Sequence, residues 1–174
     1  MAIKKLNQDS LVNITNNLNH LYIYKDRRGD VDIQLDERGD SADMTVRELK
    51  QMSTGTSKNA LRNFYVLVDD GEDYEADEIL TYIKLDKHYA KAKSLLGVDD
   101  DEKLTPEHFK EFVQNATGQD VNKVIKDMPE LKTVITEQGL LAYKNRTIDY
   151  GVIERILYLN GIGDVGGFLD DIRA

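Results

Sequence analysis

Apolar and polar residues alternate in the first third of the chain, with the spacing that is typical of β-strands. Val31, Ile33 and Leu35 alternate with polar neighbours, which predicts a strand over residues 30–36 with one buried face. Short runs of β-branched, aromatic and aliphatic residues predict further strands near residues 11–15, 21–25 and 64–68. This part of the chain is therefore predicted to form a small antiparallel β-sheet or barrel-like domain.

The tripeptide Arg-Gly-Asp occurs twice, at residues 28–30 and 38–40, on either side of the predicted strand. Glycine tolerates the positive φ that a tight turn requires, so Gly29 and Gly39 are interpreted as turn residues. Arg-Gly-Asp on an exposed loop is also the adhesion tripeptide that integrins bind, but that function requires an exported protein. We therefore interpret the repeat as the same turn used twice, with the strand between the two copies setting the spacing.

One short helix is predicted within the β-rich part. Thr45 and Glu48 have the Thr-x-x-Glu spacing of a capping box, which marks a helix start. An apolar stripe with helical spacing follows: Val46, Leu49 and Met52. The pattern predicts a helix from about residue 46 to residue 52.

The period changes to that of helices after an acidic segment, residues 69–78, in which seven of ten side chains are acidic. Beyond it, apolar residues recur at three- and four-residue intervals almost to the C-terminus. We therefore predict an α+β protein with two domains. Residues 1–70 form the β-rich domain with its short capped helix, and residues 71–174 form an acidic α-helical domain.

Charge and composition narrow the possible functions. The 174-residue chain has a net charge of −9, and residues 71–174 contribute −8 of it. Binding of DNA or RNA needs Lys and Arg that neutralise phosphates, so no direct contact with nucleic acid is expected. The chain has no cysteine, which excludes thiol nucleophiles, disulfides and thiolate metal ligands. It has neither a membrane-spanning apolar run nor a signal peptide, so we expect synthesis in the cytoplasm and no membrane contact.

The sequence contains no motif for catalysis or for cofactor binding. His20, His88 and His108 lie far apart and lack the paired spacing of a zinc site. A calcium-binding EF-hand loop starting at Asp69 would need Gly at its sixth position and Glu at its twelfth, and neither is present. We therefore predict that the chain is no enzyme and holds no cofactor or metal. The acidic segment 69–78 is interpreted as a solvated linker between the domains.

The order of the elements resembles that of small structural proteins of tailed bacteriophage virions. The stretches that carry the resemblance are LVNITNNLNHLYIYKDRRGDVDIQL, MTVRELKQM, ALRNFYVLVDD and the helical MPELKTVITEQGLLAYKNRTIDYGVIERILYLNGIGDVGGFLDDI. The resemblance implies a non-enzymatic virion component, such as a capsid decoration or auxiliary protein or a head or neck component, made in the host cytoplasm. It also implies contacts with other virion proteins or with further copies of the same chain, and it carries over no functional residue.

Two tyrosines are the candidate partner-binding residues. A sheet domain of about 60 residues buries only about 60% of its unfolded surface, so some apolar side chains remain near solvent. Tyr22 and Tyr24 share one side of their strand, Leu21 and Ile23 share the other, and only one pair can face the domain core. Tyrosines are favoured at interfaces, which makes Tyr22 and Tyr24 the candidates. Alternatively, the helical half covers them within the same chain.

The charge pattern also fits a different class of function. In this second hypothesis the chain is an acidic regulatory binding module, and its segment 69–78 engages a basic partner protein. The same segment could imitate nucleic acid and block a DNA-binding protein, because a dense row of carboxylates presents a comparable negative field. The sequence therefore leaves two main hypotheses, a virion structural protein and an acidic binding module, and an unrecognised hydrolase is a third.

Overall fold

The structure is a computed structural model that describes residues 5–26, 29 and 32–173. The strands are β1 (Leu11–Asn16), β2 (Tyr22–Lys25), β3 (Asp32–Leu35), β4 (Ser41–Thr45) and β5 (Val66–Gly71). The helices of the first half are α1 (Val46–Thr54) and α2 (Lys58–Arg62). The later helices are α3 (Ala76–Ile83), α4 (Asp86–Leu96), α5 (Pro106–Asn115), α6 (Gly118–Asp127), α7 (Lys132–Lys144), α8 (Tyr150–Leu159) and α9 (Val165–Arg173). A small antiparallel sheet followed by helices confirms the predicted α+β class.

The sheet is built around its first strand. β1 is the central strand of a three-stranded antiparallel sheet in the order β4–β1–β5. Ile14 of β1 lies between Ala42 on β4 and Val68 on β5, and its side chain is fully buried. β2 and β3 form a separate antiparallel hairpin in which the buried Tyr24 faces the buried Ile33. The alternation seen in the sequence therefore reflects strands with one face in the core.

The predicted short helix is confirmed, and its capping box is present. The Thr45 hydroxyl accepts a hydrogen bond from the Glu48 backbone N–H at 3.2 Å. In return, the Glu48 carboxylate accepts the Thr45 backbone N–H at 2.6 Å. These two bonds satisfy donors that a helix start otherwise leaves unpaired. The helix then continues to Thr54, two residues beyond the predicted end.

The strand expected at residues 64–68 begins later, at Val66, and runs to Gly71. The difference arises because Phe64 terminates the preceding helix instead: it adopts φ +58°, and the next residue, Tyr65, donates its backbone N–H to the Ala60 carbonyl at 2.9 Å. The sequence pattern does not predict strand β4, because Ser41–Thr45 contains a single buried residue and lies at a sheet edge. The strand expected at 30–36 is present as β3, with residues 30 and 31 outside the described part of the chain.

Both predicted turn glycines adopt positive φ, +75° at Gly29 and +91° at Gly39. In the second repeat, the Gly39 N–H donates to the Asn16 carbonyl at 2.9 Å. The Asp40 carboxylate accepts two backbone N–H groups of the same turn at 2.9 Å, and the Arg38 guanidinium donates to the carbonyl of Pro106. All three residues of this repeat therefore form contacts within the chain, which agrees with the turn interpretation. Residues 28 and 30 of the first repeat lie outside the described residues.

The loop after β1 joins the sheet to the helices through buried polar groups. Asn17 is fully buried, and its side-chain N–H donates to the Phe64 carbonyl at 3.0 Å. Two residues further on, the Asn19 backbone N–H donates to the Glu137 carboxylate on α7 at 2.8 Å. Gln138, also buried, donates to the Asn19 side-chain oxygen at 3.1 Å. Because buried polar groups need partners, these bonds fix the position of α7 against the sheet.

The buried hydrophobic side chains form one cluster with members from both halves of the chain. Leu35 and Phe64 belong to it from the first half, and Phe109, Val134 and Ile156 from the second. The division into domains at residues 1–70 and 71–174 stays a prediction, which limited proteolysis can test by the release of a stable fragment ending near residue 70.

Candidate protein-binding groove

A groove with a volume of about 680 Å³ lies between α6, α8 and the start of α9. Seven of its twelve lining residues come from the flanking segments: Gly118, Gln119, Asn122, Gly163, Asp164, Val165 and Gly166. The rest comes from α8: Tyr150, Gly151, Glu154, Arg155 and Tyr158. We call these α8 residues the α8 stripe.

The helical period explains why the α8 stripe faces outward. On the opposite side of α8, Ile153, Ile156 and Leu157 are fully buried against the core. Residues 151, 154, 155 and 158 follow the i, i+3, i+4, i+7 spacing, so they share the other side of the helix. An amphipathic helix normally presents only polar and charged residues there, whereas α8 presents Tyr158 and Gly151 beside Glu154 and Arg155.

Arg155 is held in place at the centre of the groove. Its guanidinium donates to the Asn122 side-chain oxygen on α6 at 2.6 Å. The guanidinium carbon also lies 5.3 Å from the centre of the Tyr158 ring, within the range of a cation–π contact. Tyr158 itself is 65% exposed and is the most exposed large hydrophobic side chain of the described residues. The ring is therefore oriented from one side and open to solvent on the other.

Small residues keep the groove open. Gly163 and Gly166 lie at one side of the groove, and Gly118 lies at the other. Asp164 starts α9, because its carboxylate accepts the Gly167 N–H at 3.1 Å as an N-cap does. Since these three positions and Gly151 lack side chains, another protein backbone can approach the α8 stripe closely.

The positive and negative side-chain charges of the C-terminal segment around the groove nearly cancel. Residues 132–173 carry six acidic and five basic side chains, a net charge of −1. Glu154 is exposed and forms no ion pair or hydrogen bond with another side chain of the described residues. The groove therefore offers two aromatic rings, an oriented guanidinium and an unpaired carboxylate within two turns of one helix.

The structure places the candidate residues Tyr22 and Tyr24 on the inward side of β2. Tyr24 is only 4% exposed and lies beside Met52 of α1, so the first half of the chain covers it, and burial raises the pKa of its hydroxyl. Burial likewise raises the pKa of Tyr22 to about 12. The exposed pair is Leu21 at 46% and Ile23 at 47%. Partner binding through Tyr22 and Tyr24 stays a prediction, but the exposed surface of this strand belongs to the other pair.

The acidic segment 69–78 is not the solvated linker that its composition suggests. It completes β5, turns and begins α3, because Gly71 still pairs with Val12 of β1. Lys103 joins it to the acidic loop 99–102 through Asp69, at 2.6 Å, and through the neighbouring Asp70, at 2.9 Å. We call residues 69–78 and 99–102 together the acidic surface.

The contacts of Lys103 shift the pKa values of Asp70 and of Lys103 itself. Its hydrogen bond, with a second bond from the Ala76 backbone N–H, holds the pKa of Asp70 below its ordinary value. Hydrogen bonds to Asp69 and Asp70 raise the pKa of Lys103 to about 12.

Among the described residues, no group of three or more His, Asp or Glu side chains is arranged to hold a metal ion.

No catalytic or ligand-binding motif in the sequence marks the groove. The signal that marks it is the position of Tyr150 and Tyr158 outside the apolar stripe that buries Ile153 and Ile156. Large aromatic residues on the polar side of an amphipathic helix indicate a contact surface.

Within the described part of the chain, no helix is both long and apolar enough to cross a membrane.

In comparisons with known proteins, no family model matched the sequence, and no significant match was found among curated proteins or solved structures.

Proposed function

We propose that the chain is a non-enzymatic structural protein of a tailed bacteriophage virion, a capsid decoration or auxiliary protein or a head or neck component, that acts through protein–protein contacts. The observation that carries the contact function is the exposed α8 stripe in its groove. Tyrosine and arginine are the residue types enriched in protein interfaces and at their energetic centres. The assignment to a virion rests on the order of the sequence elements.

Magnitudes favour the groove over the acidic surface as the main contact site. Covering a large apolar side chain such as that of Tyr158 stabilises a complex by about 1.5–3 kcal/mol. An exposed ion pair contributes only about 0–1 kcal/mol and weakens further with salt. A partner that buries Tyr150 and Tyr158 therefore gains more than a partner that pairs with several surface carboxylates.

A second candidate function is an acidic regulatory binding module, or a nucleic-acid mimic, that engages a basic partner protein. One observation favours it: Lys103 brings two acidic segments together, and residues 69–78 and 99–102 contain eleven acidic side chains and no basic one. Such a surface accelerates association with a basic partner and loses affinity steeply as salt increases.

Mass spectrometry of virions purified from cells infected with the phage that encodes the chain tests the proposal. We expect the chain at a fixed ratio to the major capsid protein, and fewer copies when Tyr150 and Tyr158 are both replaced by Ser. Leu21→Ser, an exposed apolar residue outside the groove, is the matched control and should leave the copy number unchanged. A chain that is abundant in the infected cell but absent from virions, and that co-purifies with a basic protein at low salt only, would favour the binding module.

A further inference from the structure

The α8 stripe is complementary to itself, and we propose that its partner is a second copy of this chain. The two copies pair through α8 in an antiparallel arrangement, with the two-fold axis between residues 154 and 155. This inference rests on the proposed function, because it takes the groove to be a protein-contact site. It goes further by naming the partner and the residues that meet.

The antiparallel register brings opposite charges together. When the axis passes between residues 154 and 155, Glu154 of each copy faces Arg155 of the other. Glu154 has no partner of its own among the described side chains, and Arg155 is already oriented by Asn122. A guanidinium retains N–H donors after one hydrogen bond, so Arg155 can bind the incoming carboxylate as well. The pairing therefore satisfies a carboxylate that has no partner among the described side chains of the single chain, and it does so twice.

The same register matches the largest side chain of the stripe to its smallest. Residue 151 of one copy faces residue 158 of the other, so the Tyr158 ring lies over Gly151. Apart from its chain neighbours and the nearby backbone of α8 itself, no described atom lies within 4 Å of the position that a Cβ would occupy at Gly151, so the space above it is open. A ring over a glycine lets two helices approach closely and excludes water from the ion pairs.

The position of the groove also favours a like partner. α8 packs on α6, α7 and α9, whereas the acidic surface belongs to β5, α3 and the loop before α5. Two copies of a chain with a net charge of −9 repel each other, but the nearly neutral segment 132–173 keeps most of that charge away from the contact. Charges separated by more than about 8 Å are largely screened at physiological salt.

The contact is short, so we expect a weak dimer. α8 has ten residues and is therefore about 15 Å long. A stable interface buries about 1,200–2,000 Å² in total, so a contact carried by one helix of this length from each copy is expected to be weak. The dimer should form at micromolar and higher concentrations in solution, and more completely where copies are held close together.

Analytical ultracentrifugation of the full chain, from low micromolar to several hundred micromolar, provides the test. The native chain should shift from monomer to dimer over this range. Glu154→Arg places two arginines against two arginines and should weaken dimerisation by about tenfold or more. Arg155→Glu places glutamates against glutamates and should have a similar effect.

An equimolar mixture of these two variants is the decisive sample. Both arginines at the centre of the Glu154→Arg chain then face glutamates of the Arg155→Glu chain, so the mixture should form heterodimers although each variant alone forms homodimers only weakly. Simple damage to the fold by either substitution cannot produce this recovery. If both single variants dimerise like the native chain, or if the mixture stays monomeric, the proposed register is wrong.

Gly151→Gln adds a control that does not depend on charge. Glutamine favours helix more than glycine does and meets open space, so the variant should fold at least as well as the native chain. It fills the space that Tyr158 of the second copy needs, and the dimer should be lost. A native chain that remains monomeric throughout overturns the dimer and leaves the virion assignment standing. A dimer with this register in a chain absent from virions overturns the virion assignment alone.

Discussion

The acidic surface and the α8 groove differ in how far their polar groups are satisfied within the chain. In the acidic surface, Asp69 and Asp70 bind Lys103, and Asp73 accepts the Ser10 hydroxyl at 2.6 Å. In the groove, Glu154 has no partner among the described side chains, and Tyr158 exposes most of its ring. The region with the stronger sequence signal is thus the one that already uses part of its charge to hold its own structure.

This difference teaches that charge density alone is a weak guide to binding. Carboxylates cost little free energy to expose, so a dense acidic run can be solvated and can still cap helices or bind a nearby lysine. An exposed tyrosine ring is different, because covering it always gains free energy. Residues that remain unsatisfied in the single chain mark a contact surface better than residues that are merely numerous.

The largest expected difference in stability is between two tyrosine variants, one from each region. Tyr89 lies beneath the acidic surface, in the same pocket as Asp77 and Asp100, and is 2% exposed. Tyr89→Ala should lower the free energy of unfolding by about 3–5 kcal/mol, because it leaves a cavity in the core. Tyr158→Ala should change it by less than about 0.5 kcal/mol, as is usual for exposed positions, but should abolish dimerisation. Urea unfolding monitored by circular dichroism measures the two changes in unfolding free energy, and analytical ultracentrifugation measures dimerisation.

The comparison fails if these two variants behave alike. Equal losses of stability would mean that Tyr158 supports the fold of the single chain and that the α8 stripe is not free. Tyr89→Phe is the conservative control, because it keeps the ring that packs 5.1 Å from Phe64 and removes only the hydroxyl. That hydroxyl donates a long, 3.5 Å hydrogen bond to the Val66 carbonyl, so Tyr89→Phe should cost far less than Tyr89→Ala.

A second pair of variants asks whether β2 behaves like the core or like the groove. Tyr24 and Ile23 are neighbours on opposite sides of the strand, one buried and one exposed. Tyr24→Ser should lower the free energy of unfolding by about 2–4 kcal/mol, because it removes a buried ring. Ile23→Ser should have little effect on unfolding. If Tyr24→Ser left the melting temperature unchanged and reduced the copy number in virions, Tyr24 would be a contact residue, as the sequence suggested.

Much of the fold could be predicted because local rules determined it. The capping box at Thr45 and Glu48 and the alternation around Ile33 depend only on neighbours in sequence, and both are present. The positive φ at Gly29 and Gly39 follows from turn chemistry in the same way. Strand β4 depends instead on pairing with β1, and nothing in Ser41–Thr45 itself marks a strand.

The candidate site could not be predicted because, like β4, it depends on contacts between residues that are distant in sequence. Strand alternation around Tyr22 and Tyr24 predicts that one pair of side chains is buried but does not show which pair. That choice depends on α1, whose Met52 lies beside Tyr24 only after the chain has folded back. The groove likewise requires Asn122 on α6 to meet Arg155 on α8, residues that are far apart in sequence.

The smallest expected change in unfolding free energy, that of Asp70→Asn, tests whether the acidic surface stabilises the fold at all. Since hydrogen bonds from Lys103 and from the Ala76 backbone hold the pKa of Asp70 below its ordinary 3.8, the folded state prefers the ionised carboxylate. Its contribution is present above pH 3.8 and is lost as the pH falls through the lower pKa of the folded state. Lys103 acts at the other limit, because its pKa is raised from 10.5 to about 12, and its contribution is lost only as the pH rises through that value.

At neutral pH both contributions are therefore present, but the groups are about half exposed, so their sum should be at most about 1 kcal/mol and should shrink with salt. Asp70→Asn should lower the free energy of unfolding by this amount at neutral pH and low salt, and the difference from the native chain should vanish in strong acid. Glu72→Gln is the matched control, because its carboxylate has no side-chain partner in the described residues. Urea unfolding of the three proteins across the acid range measures the difference. If Asp70→Asn and Glu72→Gln were indistinguishable at every pH, Lys103 would contribute nothing to stability, and the acidic surface would be as free to bind a basic partner as its composition suggests.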